Sequence, residues 1–271
     1  MSVEYYCPRW GSEHLAWEDF CAKVKHEGYD GIEVGIANNA SQSEMDEIWN
    51  LAGNHQLKLI PQFYDSAYPE FSKHFDVYSA WLKKLEPYPC VKIDSQTGRD
   101  IFSFEQNREL ILAALHFTQR TGIDVMHETH RHKCLFAAHV AKNYFQKIQG
   151  LKITLDASHW VCVGESFLED QAEAMELAIA CTGHIHARVG YTQGPQVPDP
   201  RANEWQSAVA AHLAWWDGIA ARQKQRGEIL TITSEFGPYP YMVHLPGTTT
   251  PITSQWEVNV YMMQLLKNRY Q

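Results

Sequence analysis

A chain of 271 residues, 45% apolar, with 23 Lys+Arg against 32 Asp+Glu and a formal charge of −9, can bury a full core and is too apolar to be disordered. The acidic balance argues against a surface that neutralises a phosphate backbone, so no nucleic-acid partner is expected. No apolar run reaches the roughly 18 residues that cross a bilayer, and Cys7, Cys21, Cys90, Cys134, Cys162 and Cys181 form no C-x-x-C pair, which excludes a disulfide framework.

The start, Met1-Ser2-Val3-Glu4, carries no secretory apolar stretch. The expected location is a reducing cytoplasm with buried free thiols, and no membrane partner.

Short β-rich runs then alternate with helical patterns. A strand at 3–7 is followed by a helix at 17–27, a strand at 31–34 by a helix at 43–55, and a strand at 58–63 by a helix at 71–85. The series continues with strand 90–94 and helix 104–121, strand 124–128 and helix 135–145, strand 152–156 and helix 168–181. Strand 184–188 precedes helix 205–226, and strand 230–235 precedes helix 255–269. Gly28, Gly122, Gly150, Gly183 and Gly227 sit at or just after helix ends, where left-handed caps are expected.

Eight βα units in a row call for a parallel sheet, and eight is the number that closes into a barrel. The predicted fold is an α/β (β/α)8 barrel in one domain over residues 1–271, with an open doubly wound sheet as the alternative. No strand runs into a G-x-G-x-x-G turn or a G-x-x-x-x-G-K-[ST] loop, so neither dinucleotide nor P-loop chemistry is signalled. Two connections, GYTQGPQVPDPR at 190–201 and GPYPYMVHLPGTTTP at 237–251, are long and rich in Gly and Pro. They are expected to be ordered loops over the barrel mouth.

The late strands end in VMHETH, ITLDASH, HIHAR and TITSEFG. Side chains alternate faces along a strand. Ile185 and Ala187, Ile232 and Ser234, and Ile153 and Leu155 each take one face, which the outer helices need. The opposite face then aims Glu128, Asp156, His186 and Glu235 into one mouth. Three carboxylates and an imidazole cannot share a desolvated pocket without a cation. One divalent ion (Mn²⁺, Mg²⁺, Co²⁺ or Zn²⁺) meets that need, and four ligands from adjacent strands leave positions open for substrate oxygens. His127-Glu128-Thr129-His130 is one residue short of H-E-x-x-H and lies on a strand, so the metalloprotease motif does not apply.

These motifs, H-E-T-H at 127–130, D-A-S-H at 156–159, H-I-H-A-R at 184–188 and S-E-F-G at 234–237, resemble the sugar phosphate isomerase/epimerase group over nearly the whole chain. That group comprises xylose-isomerase-like TIM barrels, among them ketose 3-epimerases, hydroxypyruvate isomerase, inosose dehydratase and endonuclease IV. The resemblance implies metal ligation by Glu128, Asp156, His186 and Glu235, and substrate contacts from His159 and Arg188. It also implies a small carbohydrate-like substrate and a metal-dependent isomerase or epimerase reaction through a metal-stabilised enediolate, with Glu128 and Glu235 moving the proton. An inosose-type dehydratase and an endonuclease IV-like phosphodiesterase are the alternatives. His130, His159 and His244 are the histidines available for extra metals.

Further expected substrate contacts are Glu33, inward in GIEVG, and Asp94, at the end of the fourth strand. Arg99, Arg131 and Arg201 follow strands and could bind an anion. Trp10, Trp160 and Phe236 could wall the pocket or fill the core. Oligomeric state is left open, a homo-oligomer included.

Overall fold

The computed structural model describes residues 2–65 and 67–270. In chain order the elements are β1 (Val3–Pro8), α1 (Trp17–Glu27), β2 (Gly31–Gly35), α2 (Gln42–Asn54), β3 (Lys58–Phe63) and α3 (Phe71–Leu85). Next come β4 (Ile93–Ser95), α4 (Phe104–Thr121), β5 (Val125–Glu128), α5 (Ala138–Lys147), β6 (Ile153–Leu155), α6 (Ala157–Gly164) and α7 (Ala172–Cys181). The chain ends with β7 (Thr182–His186), α8 (Gln206–Arg226), β8 (Leu230–Thr233) and α9 (Gln255–Tyr270). Every neighbouring strand pair is parallel, and β1 closes on β8 through Val3–Leu230 to Tyr6–Thr233.

Alternation sorts the side chains as expected. Ile153, Leu155, Ile185 and Ile232 join helical Ala178, Trp216 and Ile219 in the core between sheet and helices. The other face of the same strands is polar yet buried: His184 Nδ1 lies 2.7 Å from Thr231 Oγ1, and Nε2 lies 3.2 Å from Thr233 Oγ1. A barrel interior filled this way cannot draw on apolar burial alone, so its polar groups must satisfy one another.

Helix ends follow local chemistry. Ser41 with Glu44 and Ser103 with Gln106 form capping boxes on α2 and α4, satisfying amides that the first turn leaves unpaired. Gly28, Gly122, Gly150 and Gly227 take positive φ as expected of caps, and Gly183 does not. It lies inside β7, which begins two residues earlier than expected. A Cβ there would lie 2.7 Å from the Met126 methyl, so the requirement is close approach of β7 to a side chain of β5.

Both long loops are ordered and joined to each other. Gly237 N–H donates to Gln196 Oε1 at 2.7 Å, and Gln196 Nε2 donates to the Gly237 carbonyl at 3.2 Å. The first loop is anchored from α8: Gly190 N–H donates to His212 Nε2 at 3.2 Å, while His212 Nδ1 bonds the Ala208 carbonyl at 2.8 Å. A carbonyl only accepts, so the proton sits on Nδ1 and the ring is neutral.

Burial holds the His212 pKa down at about 4, outweighing the Ala208 carbonyl, against roughly 6.5 when unfolded. Between those values the unfolded chain binds the extra proton, so the stability contribution is complete above pH 6.5 and is lost as pH falls toward 4. At about 1.4 kcal/mol per unit, the loss is on the order of 3 kcal/mol. Urea unfolding of His212→Gln should show a stability profile flatter by that amount over this window. Parallel profiles for the two proteins would show that His212 does not fold neutral.

Candidate metal centre

Glu128, the last residue of β5, Asp156, just past β6, His186, the last of β7, and Glu235, two residues past β8, converge. One ligand atom from each lies within 4.8 Å of all the others, and all four residues are buried. Register explains the convergence. His186 pairs with Thr233, so Glu235 stands one inward layer above that row. Asp156 caps α6, a short helix absent from the sequence-based element series, and its Oδ1 takes both the backbone N–H and the hydroxyl of Ser158.

Both Glu128 oxygens and His186 Nδ1 are buried without a hydrogen-bond partner among the described residues. Nδ1 lies 3.0 Å from Glu235 and 3.4 Å from Glu128, yet neither approach has hydrogen-bond geometry. Its other nitrogen, Nε2, meets Glu33 Oε1 at 3.0 Å. Burial disfavours a charged His186 ring, yet Glu235 and Glu33 hold its pKa well above the ordinary value. Glu33 accepts the Nε2 proton and a bound cation would take the place of the Nδ1 proton, the arrangement in which an outer carboxylate orients a ligating imidazole. Unpartnered buried carboxylate oxygens are costly, and this oxygen-rich set with one imidazole fits a divalent cation.

Charge is already partly compensated. The Arg188 guanidinium, 1% exposed, contacts Asp156 through Nη2, lies 3.5 Å from Glu235, and reaches His159 Nε2 at 2.7 Å and Ser158 Oγ at 3.2 Å. Burial pushes the Glu128 carboxyl up to about 7 against the pull of His186. Burial likewise disfavours the Glu33 and Glu235 anions, but His186 with His184, or His186 with Arg188, outweighs it and holds both below the ordinary range.

A cavity of about 570 Å³ opens above these groups, lined by Arg9, Trp10, Tyr64, Gln96, His130, Arg188, Glu235 and Tyr241 among others. Tyr241, in the second long loop, roofs it. Its ring stands 4.9 Å over the Arg188 guanidinium and meets Trp10 edge-on at 5.3 Å, and its hydroxyl accepts from Arg131 at 3.2 Å. Gly237 allows this packing, because a Cβ there would lie 2.2 Å from the Trp10 ring.

Of the four expected substrate contacts, Arg188 alone lines the cavity. Glu33 engages His184 and His186 with its two oxygens, so it positions a candidate ligand. Asp94 is fully buried, takes a hydrogen bond from Gln62 at 3.0 Å, and is pushed well up by burial and by Glu128. Register places it beside Met126, two residues short of Glu128 and thus a layer below the site. His159 does not line the cavity, although a ring nitrogen lies within 4.8 Å of ligand atoms of Glu128 and His130, and Arg188 engages its Nε2. Arginine only donates, so His159 Nε2 is unprotonated, and burial keeps the ring neutral. The imidazole at the cavity wall is His130, its ring tilted against His159 at 3.9 Å between centroids.

Among the softer candidates, Trp160 and Phe236 are core and Trp10 is a cavity wall. Arg201 pairs with Asp199 at 2.7 Å, Arg99 donates to the Ala67 carbonyl, and His244 packs on Tyr239. Arg9, Gln96 and Tyr241 were missed by the sequence reading. The one available signal for Arg9 and Trp10 was their place directly after β1, where βα loops build barrel sites.

No protein-family model matches the sequence, and neither does any curated protein. Solved structures do match in three dimensions. The probable 3-DHS dehydratase AsbF involved in petrobactin synthesis from Bacillus anthracis superposes with a TM-score of 0.61 at 15% identity, covering 98% of this chain and 100% of that one. An AP endonuclease, family 2, from Brucella melitensis gives 0.59 at 12% identity over 88% and 94%. Endonuclease IV from Thermus thermophilus gives 0.56 at 10% over 98% of each chain. The fold is therefore the (β/α)8 TIM barrel that these three proteins share. Among the described residues no helix is long and apolar enough to cross a membrane.

Proposed function

We propose that this chain is a divalent-metal-dependent isomerase or epimerase that removes a proton from the carbon beside the carbonyl of a small polyhydroxy compound. The observation that carries the reading is the convergence of Glu128, Asp156, His186 and Glu235 with the Glu128 oxygens and His186 Nδ1 unpartnered. These four residues would hold the ion, which when bound would polarise a carbonyl and acidify the adjacent C–H.

The chain's own groups divide the remaining work. Glu235, at the cavity wall, takes a proton at a carboxylate oxygen, and Glu128 returns or removes one as the second carboxylate. His130 donates from Nδ1 to the Arg131 carbonyl at 2.6 Å, so its Nε2 presents a lone pair that accepts from a substrate hydroxyl. Burial, against the pull of that carbonyl, keeps its pKa near 3 and the ring neutral. Arg188 holds Asp156 in place, and Trp10 with Tyr241 screens the cavity from water.

The same first step followed by hydroxide loss is a dehydration, the second reading, and the probable 3-DHS dehydratase shares this barrel fold. The acidic balance and the aromatic walls support a small molecule over nucleic acid. Ketoses, inososes and keto acids should be screened in D₂O with Mn²⁺ and with EDTA. At least one should take up deuterium beside its carbonyl, with exchange lost in EDTA and about one ion bound per chain. Exchange indifferent to EDTA, or no exchange and no bound ion, would overturn the reading.

A further inference from the structure

Arg9 emerges from the end of β1, its backbone N–H donating to the Glu33 carbonyl at 2.8 Å. Its guanidinium lies 4.5 Å from the Trp17 ring and 4.6 Å from the Phe20 ring. Ring contacts engage the π surface of a guanidinium and leave its in-plane N–H groups to other partners. Nη2 donates to the Leu15 carbonyl at 2.7 Å, and Nη1 is buried with no partner among the described residues.

The side chain is only 8% exposed, and it lines the same cavity as Arg188 and Glu235. A buried cation without a carboxylate is destabilising unless something supplies one. The nearby acid, Glu13, is exposed and accepts from Gly11 N–H at 2.9 Å. The other cavity cation, Arg188, is already engaged by Asp156.

We infer that Arg9 anchors a carboxylate of the substrate, which is therefore a polyhydroxy keto acid rather than a neutral sugar. The inference rests on the proposed reading of the site and names its substrate class. A planar carboxylate matches the in-plane N–H edge of one guanidinium. A phosphate dianion would need a second unengaged cation, and none lines this cavity among the described residues. The rings of Trp10, Trp17, Tyr64 and Tyr241 line the cavity and offer surfaces to the C–H faces of a hydroxylated ring.

The test compares binding of quinate, myo-inositol and myo-inositol 1-phosphate to the Mn²⁺-loaded protein by calorimetry, with intrinsic tryptophan fluorescence as a second readout. Quinate should bind at least about tenfold tighter than either of the others, and Arg9→Met should remove that advantage, consistent with loss of a charge-assisted hydrogen bond. Methionine keeps an unbranched stem between Trp17 and Phe20, so thermal midpoint and Mn²⁺ stoichiometry should hold. Arg9→Lys should restore part of the quinate affinity. Glu13→Gln should leave it unchanged or raise it.

Quinate that binds no tighter than inositol, or a preference for the phosphate, would overturn the inference, as would full quinate affinity in a folded Arg9→Met protein. Mn²⁺ stoichiometry separates the two readings. A wild-type protein that binds no ion fails the metal reading, whereas a wild-type protein that binds the ion but shows no carboxylate preference fails this one alone.

Discussion

Metal-saturated Glu128→Gln and Glu235→Gln should each turn over at least about a hundredfold more slowly than the parent, a barrier increase of roughly 2.7 kcal/mol. Each substitution keeps shape and a potential ligand oxygen while removing the group that carries the proton. Glu128 is the sharper case, because neither of its oxygens has a hydrogen-bond partner among the described residues. Glu235 lies at the cavity wall beside Arg188. Deuterium exchange into the substrate identified by the screen measures both, at metal concentrations that saturate each variant. Retention of more than about a tenth of the parental rate, a change under roughly 1.4 kcal/mol, would leave that residue as a ligand only.

Loss of the ion should follow from His186→Ala, with less than about a tenth of the parental Mn²⁺ retained after dialysis, because it removes the one imidazole of the set. Glu33→Gln should keep the ligand but weaken binding by about ten- to a hundredfold, the usual effect of disturbing an outer partner. The two variants separate ligation from orientation. Equilibrium dialysis with elemental analysis reads both, and circular dichroism checks the fold. Full occupancy in His186→Ala would displace the site from where it is drawn, and an unchanged affinity in Glu33→Gln would reduce Glu33 to a packing role.

Much of this architecture was legible in the chain because two periodicities carry it. Repetition of strand and helix forecasts the barrel, and alternation within late strands forecasts which side chains face inward. Alternation names a face but not a height. Glu33 and Asp94 face inward as expected, yet the stagger between tilted strands puts Asp94 level with Met126 and turns Glu33 onto two histidines. That stagger belongs to strand pairing across the barrel and has no local sequence signal. Strand ends were also overrun: β6 stops at Leu155 because Asp156 caps a helix, and β7 stops at His186, leaving Arg188 free to fold back on Asp156. His159 follows from the same event, since the guanidinium engages its Nε2. No motif surrounds Arg9; its significance lies in having no ion-paired carboxylate among the described residues, with the nearby Glu13 turned to Gly11, which only three dimensions reveal.

The reciprocal pair between Gln196 and Gly237 ties the two loops above the barrel mouth at one point. One loop is rooted through Gly190 on His212, and the other carries Tyr241 over Arg188. Two flaps sharing a fastener cannot unlatch independently without breaking both of its hydrogen bonds. Admission of substrate and discharge of product would then pass through one shared opening event. Gln196, which does not line the cavity, would be the residue through which that event is tuned.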